Sequence, residues 1–185
     1  RAARTHITQA QQQDMLNSLV ANVPDTTVGG QLQQEAVAGV MPEVELAVTY
    51  EERVVTFKDG YQVTLRDPNW HFTNLRAEQG YYLDDDTLFS ARVAPPMIGL
   101  GLLALVAESE ILAKQDIDDA NGDGISGKAN YVWSVNNQDV ALGRFGWKAG
   151  QPSLLEQSAG AFLNDMGLTS RLHQTESCLS HQTDC

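Results

Sequence analysis

Asp116-Ile-Asp-Asp-Ala-Asn-Gly-Asp-Gly-Ile-Ser-Gly-Lys128 gathers oxygen-bearing side chains around a central Gly-Asp-Gly. Read from Asp119, the stretch is Asp119-x-Asn121-x-Asp123-Gly124-Ile125, the opening of a loop that wraps a calcium ion. Ca²⁺ is a hard cation that takes about six to eight oxygens, and alternate positions of a tight loop turn carboxylate and amide oxygens inward. Gly124 stands where such a loop turns sharply, and glycine takes a positive φ there without a Cβ clash. Ile125 is expected to give its backbone carbonyl and to anchor its side chain in the core. Asp116, Asp118, Ser126 and Asn130 are further oxygen donors close by.

The twelfth position of this loop is Asn130, where a calcium sensor carries a bidentate Glu. No long amphipathic helix follows. The segment 116–130 therefore reads as an isolated EF-hand-like loop with a structural ion. The alternative is an acidic surface turn that binds nothing, because Asn, Asp and Gly are ordinary turn residues.

Working back from the loop, Glu108 to Gln115 reads as a short helix. Before it, Pro95 and Pro96 can open a helix but not sit inside one. Ile98, Leu102, Leu105 and Val106 then fall on one face, so the spacing predicts helices over 96–115. Gly99 and Gly101 each cost such a helix roughly 1 kcal/mol relative to Ala. Glycine there suits the close approach of another backbone or a flat ligand. Before the acidic Asp84-Asp85-Asp86 the period changes to two: Val44, Leu46, Val48 and Tyr50 alternate with Glu45, Ala47 and Thr49, the mark of a half-buried strand. Lys58-Asp59-Gly60 is a hairpin signal between Arg53–Phe57 and Tyr61–Arg66. Asp67-Pro68-Asn69 reads as another turn, and Trp70 to Leu75 as a fourth strand, giving a small antiparallel meander over 44–75. Residues 1–38 read as helical or irregular, with Thr8 capping a helix to Val20.

Beyond the loop, Tyr131 to Val135 is expected to be a strand. Leu142-Gly-Arg-Phe-Gly-Trp-Lys148 is expected to be a loop with Phe145 and Trp147 packed inward. Ser153 followed by Glu156 is a capping box, so a helix is expected over 153–166 with Gly167 as its stop. Leu155, Ala159, Phe162 and Met166 share a face of it, and a cysteine-bearing tail, 171–185, follows. The expected fold is α+β, mostly helix and loop, with the small meander and the EF-hand-like loop in a main region 39–185.

The 185 residues are 42% hydrophobic and 19% charged, the balance of a globular chain. A net charge of −12 argues against nucleic-acid binding, which needs clustered Lys and Arg. It is compatible with cation binding and an extracytoplasmic setting. The longest apolar run, Met97 to Ala107, is too short to span a bilayer. The start at Arg1 and the stop at Cys185 suggest a mature protein or a piece of a longer one.

Cys178 and Cys185 lie close together near His173 and His181, a set that zinc would accept. A local disulfide is the plainer reading and implies an oxidising compartment. Free thiols are the third option. His6 and His71 are scattered, and no Gly-x-Ser-x-Gly, Walker loop, His-Glu-x-x-His or Gly-x-Gly-x-x-Gly occurs. Nothing in the sequence composes a self-contained active site.

Four motifs stand in order: Arg92-Val-Ala-Pro-Pro-Met-Ile-Gly-Leu-Gly-Leu-Leu, Asp119-Ala-Asn-Gly-Asp-Gly-Ile-Ser-Gly, Ala141-Leu-Gly-Arg-Phe-Gly-Trp-Lys-Ala and Asn164-Asp-Met-Gly-Leu-Thr-Ser170. In these, and in Gly30-Gln-Leu-Gln33 and Val48-Thr-Tyr-Glu-Glu52, the sequence resembles the bacterial di-haem oxidoreductase family, distant relatives of di-haem cytochrome c peroxidases. The likeness runs from about Gly29 to Cys185. It implies haem c, peroxidase-like electron transfer, a periplasmic location and a small redox donor protein. The family's Cys-x-x-Cys-His attachment sites are missing, so haem is expected on flanking domains of a longer parent. The resemblance further implies that the helix after Pro96, the loop at 144–148 and the helix ending at Met166 face haem. Arg92 or Arg144 would then pair with a propionate, and Met166 would serve as an axial thioether. The alternative is a calcium-stabilised extracytoplasmic binding module without redox activity.

Overall fold

The structure is a computed structural model that describes residues 2–4, 23–73, 83, 85, 87–94 and 96–178. The expected helix from Thr8 to Val20 lies outside the described residues, as do Pro95, His6, His181 and Cys185. Along the chain come β1 (Ala2–Arg4), β2 (Glu45–Thr56), β3 (Gln62–Thr73) and β4 (Thr87–Phe89). These are followed by α1 (Leu100–Ala104), α2 (Glu108–Leu112), β5 (Tyr131–Ser134), β6 (Asp139–Leu142) and α3 (Leu154–Met166). Among the described residues all pairing is antiparallel and two-stranded: β1 with β4, β2 with β3, β5 with β6.

This corrects the expected fold class. Among the described residues helix makes up only 16% and strand 28%, so they are not mostly helix and loop. Two local reasons account for the difference. The expected meander is one long ribbon, in which β2 and β3 pair without a break from Glu45–Thr73 to Thr56–Gln62. Asp67-Pro68-Asn69 does not turn the chain. Phe57 N donates to Tyr61 O at 2.8 Å, and counting every second pair from there leaves Tyr50–Pro68 between bonded pairs. A proline whose nitrogen faces away from the ladder does no harm in an edge strand, and both strands of a ribbon are edges. At the tip, Gly60 N donates to Phe57 O and Gly60 takes φ 86°, a three-residue hairpin with glycine at its left-handed position.

The second reason is Gly99. The expected helix from Pro96 starts only at Leu100, because Gly99 sits at φ 85° and a left-handed residue cannot continue a right-handed helix. What remains is α1, five residues long. By contrast, α3 follows its sequence signals closely. Ser153 accepts a bond from Glu156 N, and Gly167, at φ 67°, closes the helix with its N–H on Leu163 O and that of Leu168 on Phe162 O.

One set of buried residues lies where β5–β6 meets α3: Val132, Leu142, Phe145 and Ala159. Glu156 is buried there and holds the two elements together. Its carboxylate accepts from Ser134 Oγ and from Val135 N, each at 2.8 Å. A smaller buried centre is Val28, packed by Leu32 and Leu83. It lies beside Asp25, whose carboxylate accepts from Thr27 N, Val28 N and the Thr87 hydroxyl. The β2–β3 ribbon is exposed along both faces for most of its length. Phe72 against Phe89, 4.3 Å between ring centroids, ties its base to β4.

Candidate functional site

Three regions hold the residues that the sequence singles out. The first is the loop 116–130. Asp116 and Gly127 close its neck by a pair of backbone bonds, 2.9 and 2.8 Å. Asp119, at φ 51°, accepts Gly124 N on its carboxylate. Asn121 accepts Asp123 N at 2.9 Å, Asp123 accepts Ile125 N at 2.8 Å, and Asp116 accepts Ala120 N at 2.7 Å. Oxygens expected to meet an ion thus bond the loop's own N–H groups. Asn130 is turned away, donating its amide to Lys148 O at 3.2 Å and Ala149 O at 3.0 Å. Ile125 does not anchor the loop, since its side chain is 71% exposed. Among the described residues no group of three or more His, Cys, Asp and Glu is arranged to hold a metal.

The second region is an apolar shelf built from α1 and the loop 143–151. That loop is tightly made. Gly143 N donates to Asn130 O, and Arg144 N and Phe145 N both donate to Gln151 O. Phe145 points into the core as expected, while Trp147 does not and stays 62% exposed. Arg144 clamps the loop to the end of α1, donating from Nη1 to Val106 O at 2.6 Å and Ala104 O at 3.3 Å, with Glu108 3.7 Å from Nη2. Arg92 lies over the Trp147 ring, 5.8 Å from its centroid. Ile98, at 92% exposure, with Leu102 and Leu105, covers the outer side, and a Cβ at Gly99 or Gly101 would meet open space. Exposed apolar side chains of α1 and Trp147 are thus linked through Arg144, with the Arg92 guanidinium over the indole.

The third region was not legible as a site. The segment 28–43, the end of α3 and residues 176–178 border a recess of about 620 Å³ that is open to solvent. Gln31 and Gln33 make the joint, both donating Nε2 to Asn164 O, and Gln31 also to Asp165 Oδ1 at 2.6 Å. Partners more than 130 residues apart leave no local periodicity to read. Met166 lines this cavity, and neither Arg92 nor Arg144 does. The structure thus brings Arg92 and Arg144 to one shelf and sets Met166 in a different recess. Cys178 is at the cavity wall. Its pairing with Cys185, and the zinc set that includes His181, involve residues outside the described ones. His71 is on the ribbon, 2.7 Å from Thr49 Oγ1, and His173 follows a turn made by Ser170.

A family model described as "Di-haem oxidoreductase, putative peroxidase" matches residues 3–182, nearly the whole chain. The chain belongs to the di-haem oxidoreductase family. No curated protein and no solved structure matches it. Membership implies haem in the parent protein. The residues of this di-haem oxidoreductase chain do not fit covalent haem. It has two cysteines, and Cys178-Leu-Ser-His181 lacks the second cysteine that a Cys-x-x-Cys-His site requires.

Proposed function

We propose that this chain is the central, haem-free part of a periplasmic di-haem oxidoreductase that carries out peroxidase-like electron transfer. Its task is to present a surface to haem-bearing flanks of the same polypeptide and to hold them in place. The shelf of Ile98, Leu102, Leu105 and Trp147 beside Arg92 carries this reading. Exposed apolar patches of this kind mark contact surfaces, and an Arg fork matches a carboxylate such as a propionate. Arg144 serves by fixing the loop to α1, its donors being engaged within the chain. Met166 is left out of the haem-facing set, because it stands apart from Arg92 and Arg144 in a recess whose carboxylates, such as Glu35 and Asp165, would repel haem propionates. A small redox protein supplies the electrons.

The test is the intact mass and visible spectrum of the protein purified from its source. A mass well above 20.2 kDa with a c-type Soret band is the expected result. A mass near 20.2 kDa with no visible absorption removes the redox reading from this polypeptide.

Calcium belongs to the proposal as a structural ion of the loop 116–130. Asp119, Asn121 and Asp123 bond loop N–H groups with part of their oxygen capacity and keep lone pairs for an ion. A free calcium concentration of about 100 times Kd would stabilise the fold by about 2.7 kcal/mol. A rise in Tm with calcium that Asp119→Asn abolishes supports it, and an unchanged Tm removes it. The Cys178–Cys185 disulfide completes the reading and is checked by mass after alkylation with and without reductant.

A further inference from the structure

The cavity at the end of α3 has no role in the haem reading, and its chemistry is specific. We propose that it is a binding site for a small organic cation, an ammonium or guanidinium head on an apolar body. The inference is independent of where haem is carried.

Its size comes first: about 620 Å³ falls within the range of small-molecule sites. Its apolar lining comes from Val28, Val37, Val40 and Leu163, with Val28 buried and Val37 at the open side. Met41 and Met166 add flexible, polarisable thioethers that adapt to a ligand's shape. Around that wall the charge is of one sign. Glu35, Glu43, Asp165 and Glu176 line the cavity, and among the described residues no Lys, Arg or His does. The Gln31 amide bonded to Asp165 orients that carboxylate without neutralising it. The helix adds to the field. The cavity opens on residues 163–167, the C-terminal end of the 13-residue α3, whose last turn holds no basic residue. That end carries roughly half a negative charge, which favours a cation. The opposite sign is excluded by the same argument. A carboxylate or phosphate ligand would face repulsion from every charged group named here.

Calorimetric titration of the full chain with hexylammonium, 1-hexanol and hexanoate tests this. The three probes share a body and differ in head charge. Hexylammonium is expected to bind about tenfold more tightly than hexanol at low salt, with hexanoate weakest and the preference shrinking as salt rises. Glu35→Gln and Asp165→Asn are each expected to weaken hexylammonium about threefold and to leave hexanol unchanged. Asp165→Asn keeps an oxygen for Gln31, and circular dichroism confirms that both variants are folded. Glu52→Gln on the distant ribbon is expected to change nothing. Equal affinity for hexylammonium and hexanol, no binding of either, or insensitivity to both substitutions overturns the proposal.

Discussion

Glu156 shows how much a single side chain can carry at the residue scale. Helix rules mark it only as the third residue of a capping box, where an exposed glutamate would serve as well. In the fold it is buried and receives Ser134 Oγ and Val135 N, so one carboxylate joins β5 to α3. Removing it strands a buried hydroxyl and a backbone N–H. Glu156→Ala is therefore expected to cost about 2–4 kcal/mol in urea unfolding, and Glu156→Gln distinctly less. Gly143 makes a complementary case. A Cβ there would stand 1.9 Å from Ala149 O, which is backbone and cannot swing aside. Gly143→Ala is expected to lose about 1–3 kcal/mol by the same assay and to loosen the loop that carries Trp147. Ser153 and Gly167 were readable because capping is local. Glu156's partners on β5 and the Gln31–Asn164 joint come from distant parts of the chain, and no spacing rule reaches them.

At the scale of elements, the ribbon and α1 divide the same lesson. The alternation of Val44 to Tyr50 and the Asp59-Gly60 signal were enough to place the start of β2 and the tip. The Pro68 turn was misplaced because a proline's meaning depends on which way its nitrogen faces the ladder, a matter of register rather than composition. Gly60→Ala is expected to destabilise the ribbon by about 1–2 kcal/mol through its positive φ, seen as faster amide exchange in β2 and β3. Arg53 donates Nε to Asp67 Oδ2 at 2.8 Å on the ribbon's polar face, and that hydrogen bond raises the guanidinium pKa above its usual value. A raised pKa gives a contribution that is complete below the unfolded-state value and fades only above it. Arg53's own titration therefore leaves ribbon stability flat through the neutral range. For α1, the glycines were read as a helix-propensity cost, whereas the decisive fact is the hand of Gly99.

For the whole molecule, the balance of buried and exposed apolar residues is the main observation. The buried centres are small, while Ile98, Leu102, Leu105 and Trp147 face outward together. The chain alone is expected to bind a hydrophobic dye such as ANS, and replacing Leu102 and Leu105 by Gln is expected to reduce that signal without lowering Tm. A dye response unchanged by the double replacement would place the sticky surface elsewhere. The family was legible because its motifs sit in local segments: the glycine turn before α1, the acidic loop, the Arg144 loop and the end of α3. The overall balance of strand and helix was not, since it rests on how far one ribbon runs. That ribbon also bears on evolutionary change. Its distal part pairs with itself, so residues can be added or removed near the tip without disturbing the body. Register allows this only when both strands change together, one residue opposite another. Length variation among relatives should therefore appear as even-numbered steps centred on the Lys58-Asp59-Gly60 turn, with single-residue insertions rare.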